Sequence, residues 1–173
     1  MIHEHAIPTV ADWGDYEADL DTKWAFDEFN QKNFAEAVAR FAYCASATCE
    51  DLEYMPIKPF QYYMTAISRY ISSKEFKNTL DLFTDDAIYF FFCRVVGMLR
   101  DKPDFILPIW HDVDAALNKI AAMKPKKFCD DCDDEPENYD LEGLAKIQND
   151  LLNIRLAYDN AKQANAQPSR WFQ

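Results

Sequence analysis

TDDAIYFFFCRVVGMLR runs from Thr84 to Arg100, and between Ala87 and Leu99 its only charge is Arg94. Phe90, Phe91 and Phe92 stand in a row. Three consecutive side chains on a helix point in three directions, and a helix that is apolar all round is buried on all sides. The composition of IYFFFCRVV also suits a buried strand. Three features select a helix. Thr84, followed by Asp85 and Asp86, makes an N-cap with acids in the first turn. The run outlasts an ordinary strand, and Arg100 supplies the cation of a last turn. No other segment offers a partner strand. The run is shorter than the roughly 20 apolar residues of a membrane span, and it carries Arg94. A buried Arg94 requires a carboxylate partner.

Helical spacing continues outward on both sides. Trp13 to Phe29 reads as a first helix, with Trp13, Tyr16, Leu20, Trp24 and Ala25 inward beside Phe26 and Phe29. Asp12, Asp15, Glu17, Asp19 and Asp21 crowd its start, where the helix dipole favours acids. Asn33 and Glu36 form a capping box for a second helix. That helix carries Phe34, Val38, Phe41, Ala45, Thr48, Cys49, Leu52 and Met55, and Pro56 stops it. Pro59 suits the first turn of a third, which turns Phe60, Tyr63, Met64, Ile67 and Ile71 to one side. Residues 72–83 connect it to the quoted helix. After Pro103, a fifth helix from Phe105 to Met123 points Ile106, Ile109, Val113, Ala116, Leu117 and Ile120 inward, with Pro108 tolerated in its first turn. The last, Asp140 to Ala164, presents Leu144, Ile147, Leu151, Ile154, Tyr158 and Ala161 as a packing seam.

The expected fold is therefore all-α, a single-domain bundle of about six helices around a buried central helix 84–100. An extended arm over 1–12 precedes a helical domain over 13–164, which holds an acidic loop at 124–139, and a tail over 165–173 follows.

Composition narrows the function. Glycine is only 3 of 173 residues, which leaves no phosphate-cradling loop. Hydrophobic residues make up 49% of the chain, which excludes a disordered one. The net charge of −12 repels nucleic acid and anionic membrane; it suits attraction of a basic partner, and solubility alone accounts for it equally. Lys124, Lys126 and Lys127 form the only basic cluster, and that cluster suits the C-terminus of the fifth helix. MIHEHAIPTV has neither a basic n-region nor an apolar h-region, so the expected location is cytoplasmic with reduced thiols.

Few residues carry chemistry. Cys44, Cys49 and Cys93 lie in helical patterns and read as small core residues. Cys129 and Cys132 form a CxxC pair. A structural zinc site needs four ligands, and no second pair exists, so His3 and His5 would have to complete it. A redox pair needs a lowered thiol pKa, whereas Asp130, Asp131, Asp133 and Asp134 raise it. A plain loop without a cofactor is expected, with metal binding or redox chemistry at Cys129 and Cys132 as alternatives. Asp131, Asp133, Glu135 and Glu142 match an EF-hand loop, but Pro136 stands where a glycine of positive φ is needed. His111 and Asp112 are adjacent on a helix and do not face each other. No catalytic residue is nominated, and a non-enzyme is expected.

DWGDYEADLDTKWAFDEF, from Asp12, and EDLEYMPIKPFQYYMTAISRYI, from Glu50, resemble small uncharacterised bacterial proteins with a W-x-x-Y…KWAF opening and a P-F-x-Y-Y helix. The resemblance spans residues 12–71. It implies a bacterial origin and an all-helical fold, and it brings no catalytic residues. In type, small acidic helical proteins also resemble the immunity proteins encoded beside bacterial toxins. The expected function is a non-enzymatic acidic protein that neutralises a basic protein partner through Asp15, Asp19, Glu50, Glu53, Asp133 and Asp134. The alternative is a helical-repeat-like scaffold holding a peptide in an apolar groove. Cys49, Leu52, Met55 and Pro59 are echoed 44 residues on by Cys93, Val96, Leu99 and Pro103; stable arrays usually need about three or more units, so the echo reads as two similar helical hairpins, with chance as its leading explanation.

Overall fold

The computed structural model describes residues 6–76, 82–124 and 141–166. Among them the chain is all-α, one packed bundle with seven helices of ten residues or more. None is long and apolar enough to cross a membrane.

The N-terminal part departs from expectation. A 3₁₀ turn, Val10–Trp13, is stitched by Thr9, whose backbone N–H and hydroxyl both donate to Asp12 Oδ2 at 2.9 and 2.8 Å. Lys58 Nζ also reaches Asp12, at 2.7 Å, so the end of the supposed arm is pinned to the body. Gly14 then turns the chain at φ 62°, a conformation that costs a residue with a Cβ. Helix α1 (Leu20–Phe29) starts only after that, capped by Asp19, which accepts from the Thr22 N–H at 3.0 Å. The new start resets which residues face inward. Ala25, Phe26 and Phe29 are buried, while Leu20 and Trp24, expected inside, are 77% and 63% exposed. Trp13 is still buried, because the turn folds it edge-on against Phe26, and Tyr16 stacks flat on the same ring.

The capping box of Asn33 and Glu36 opens α2 (Phe34–Tyr43) as expected, with reciprocal bonds of 2.8 and 3.1 Å. The helix does not run on to Met55. It breaks at Cys44, which is extended at φ −150° and ψ 90°, and α3 (Ala45–Tyr54) follows at a new angle. Arg40 of α2 ties three helices together. It binds Glu28 of α1 at 2.8 Å and Asp51 of α3 at 2.6 Å, with its guanidinium over the Phe29 ring.

Helix α4 (Ile57–Ser72) buries ten residues, Phe60, Tyr63, Met64 and Ile67 among them, and is the most enclosed element. The Tyr63 hydroxyl donates to the carbonyls of Phe29 and Lys32, so a phenol lies in the core without an unpaired polar atom. The quoted segment forms α5 (Leu82–Asp101), two residues longer at its start than expected, which puts Thr84 inside the helix instead of at its cap. Ile88, Phe91 and Val95 are buried, but Tyr89, Cys93, Val96 and Arg100 form an exposed stripe. Burial of this helix on every side is therefore corrected: α3 and α8 cover it from two sides, and the third is open.

Past a break at Lys102 come a short turn α6 (Pro103–Ile106), a 3₁₀ turn Leu107–Ile109 around Pro108, and α7 (Trp110–Ala121). The expected single helix is thus three pieces, yet Ile106, Ile109, Val113, Ala116, Leu117 and Ile120 are all buried as expected. Helix α8 (Leu141–Ala166) buries Leu151, Ile154 and Ala161 along the expected seam, and Tyr158 stacks on Trp110 of α7 with centroids 4.0 Å apart.

Candidate functional site

The end of α3 and the start of α1 meet at one edge of the bundle. The Thr22 hydroxyl lies 3.3 Å from the Tyr54 carbonyl, and Lys102 Nζ donates to the Glu53 carbonyl at 3.0 Å. These donors take carbonyls that the last turn of α3 leaves without helical partners. The same terminus carries the negative end of the helix dipole.

Carboxylates gather there. Asp21 of α1 and Glu53 and Glu50 of α3 all raise the Tyr54 phenol above its ordinary range, Asp21 the most. The charges of three acids from two helices therefore act on the phenol of one partly exposed tyrosine. Glu53 has a second task. Its Oε2 accepts from Arg94 Nη2 at 2.7 Å, while Arg94 Nε donates to the Cys49 carbonyl at the same distance. This supplies the carboxylate that a buried Arg94 requires.

Of the other nominated acids, Asp15 and Asp19 are among the described residues. Asp15 is exposed ahead of the Tyr16–Ala18 turn, and Asp19 is occupied as the cap of α1. The Thr22 hydroxyl that lies against the Tyr54 carbonyl also donates to Asp19 Oδ2 at 2.7 Å, so Asp19 stands at this same edge. Asp133, Asp134, Cys129, Cys132 and the acidic loop lie outside the described residues, as do His3 and His5. Among the described residues no three histidine, cysteine or acidic side chains come together to hold a metal ion. Arg69 pairs with Asp112 at 2.9 Å, which joins α4 to α7.

Sequence reasoning missed Asp21, Leu20, Trp24 and Tyr54. The signal was present in Asp19 and Thr22: an aspartate three residues before a threonine N–H is a helix start, and starting the count at Leu20 turns Trp24 outward.

The bend between α2 and α3 opens a second feature, a cleft of about 400 Å³ lined by Phe41, Tyr43, Cys44, Tyr70, Phe76 and Phe90. The Cys44 thiol sits at its rim and is held below its ordinary pKa, first by the Ser46 hydroxyl 3.5 Å away and then by the Ala47 N–H. Cys49, by contrast, is buried, and desolvation pushes its thiol up to about 12. Cys93 is exposed, so of the three described cysteines only Cys49 is a core residue.

Comparison with protein-family models, with curated proteins and with solved structures gives no match to this chain.

Proposed function

We propose that this chain is a non-enzymatic acidic binding protein that neutralises a basic protein partner, in concrete form an immunity protein that blocks a toxin in the cytoplasm. The observation that carries the reading is the packing of α3 on α1, which sets Thr22 against the Tyr54 carbonyl and brings the charges of Asp21, Glu50 and Glu53 to bear on Tyr54. A tyrosine with an acidic border combines an anchor type enriched at interfaces with a field that steers a basic partner. The net charge of −12 acts in the same direction at longer range. Asp15, Asp19, Asp133 and Asp134 belong to this proposal as further contributors to the field. The test is a pull-down from the source cell with wild type and with Asp21→Lys/Glu50→Lys. The reading predicts capture of a basic protein by the first and loss of capture by the second.

A second reading rests on the cleft at the α2–α3 bend. Its aromatic lining suits a scaffold that holds an apolar peptide side chain. Tyr43→Asp, a change at a residue 91% exposed, distinguishes the two: it abolishes capture only if the cleft is the binding site.

A further inference from the structure

We infer that the partner docks through an arginine whose guanidinium lies on the exposed ring of Trp24, with a neighbouring carboxylate taking its edge. This rests on the reading of the α1–α3 edge as a binding face, and it adds the chemistry of the group held there. Leu20 and Trp24 are one turn apart on α1 and both largely exposed, so they form one apolar strip. Acids border the strip at helical spacing. Asp21 lies three residues before the indole, Asp27 three after it and Glu28 four after it. Tyr54 of α3 meets α1 at Thr22, on the other side of the helix, and Asp21 stands between that contact and the strip.

The border selects the occupant. A neutral apolar partner would strip water from these carboxylates and give them no counter-charge. A lysine can sit over a ring, as Lys102 does over Phe105, or bond a carboxylate, but its compact ammonium has no plane and edge to divide between the two. Arginine meets both demands, because its planar guanidinium stacks on an aromatic ring while its edge donates two bonds to a carboxylate. The fold already contains this arrangement. Arg40 lies 5.3 Å from the centroid of Phe29, on the same helix α1, with Glu28 and Asp51 at 2.8 and 2.6 Å. Asp27 is held by Lys23 at 2.7 Å and Glu28 by Arg40, which points to Asp21 as the acceptor.

The test uses two fluorescein-labelled amphipathic peptides matched in length, charge and apolar content, one carrying arginine and the other lysine. Their affinities for the full chain are read by anisotropy at low and high salt. Wild type is expected to favour the arginine peptide by about two- to fivefold, the size of an exposed cation–π contact. Trp24→Ala is expected to erase that preference, to retain salt-dependent binding of both peptides and to melt like wild type. Equal affinities on wild type, or an arginine preference that survives Trp24→Ala, overturn the inference. The binding-face reading stands separately if Asp21→Lys/Glu50→Lys then abolishes the salt-dependent binding. If wild type binds neither peptide at low salt, both fall.

Discussion

Arg94 of α5 holds Glu53 of α3 at 2.7 Å, and the arginine head is 11% exposed while the glutamate is 51% exposed. The two ends of this bond therefore differ in worth. Arg94 also bonds the Cys49 carbonyl, and its removal leaves a gap at a helix junction. Arg94→Ala is expected to lower stability by about 1.5–3 kcal/mol, the range for hydrogen bonds to charged groups. Glu53→Gln keeps an acceptor in a wet position and is expected to cost less than about 1 kcal/mol. Urea denaturation of both variants checks the order, and equal costs would contradict it.

Helix α5 has two kinds of aromatic residue. Phe91 is fully buried and Tyr89 is half-exposed, two residues away. Phe91→Asp puts a charge in a packed interior at a cost of several kcal/mol and is expected to unfold the chain. Tyr89→Asp is expected to leave helicity and melting nearly unchanged. Circular dichroism distinguishes them, and similar behaviour of the two would mean that the helix is rotated from the face described.

Asp12 ties the N-terminal turn to α4. The Lys58 bond, then the Thr9 N–H and hydroxyl, lower its pKa from 3.8 to about 2. Its folded value lies below its unfolded one, so it stabilises the fold above pH 3.8 and loses that contribution as pH falls through about 2. Wild type is therefore expected to melt above Asp12→Asn at neutral pH, with the gap closing across this acid window. A gap that persists at pH 2 would show that the bond to Lys58 is not its origin.

The thiols are expected to react in a fixed order. Iodoacetamide labelling with peptide mapping should find Cys44 and Cys93 modified in the native protein and Cys49 protected until it unfolds. Burial keeps the Cys49 thiol protonated and out of reach, whereas Ser46 and the Ala47 N–H favour the Cys44 thiolate. Early modification of Cys49 would contradict the packing of α3 on α5.

Periodicity made the faces of α7 and α8 legible, because nothing interrupts Val113 to Ile120 or Leu151 to Ala161. The Asn33–Glu36 box and the need of Arg94 for an acid were legible for the same reason: each rests on local chemistry. Three features were not. Gly14 and the Asp19 cap restart the count of α1, and a run read from Trp13 carries the wrong phase. The bend at Cys44 has no proline or glycine to announce it. The open stripe of α5 consists of Tyr89, Cys93, Val96 and Arg100, and residue type alone does not separate the first three from buried neighbours. At the site, Glu50 and Glu53 could be nominated as single acids, but the joint action of their charges with that of Asp21 on Tyr54 arises from the packing of α1 against α3, which spacing along the chain does not encode.

The most direct measurement is the association rate of the chain with its captured basic partner as a function of salt, for wild type and Asp21→Lys/Glu50→Lys. Steered association slows steeply with ionic strength, and charge changes at the border act chiefly on the on-rate. The account predicts a wild-type on-rate that falls by about tenfold or more between low and physiological salt. It also predicts a reversed variant that is slow at every salt concentration and melts like wild type. An acidic partner, or an on-rate indifferent to both salt and reversal, would contradict it.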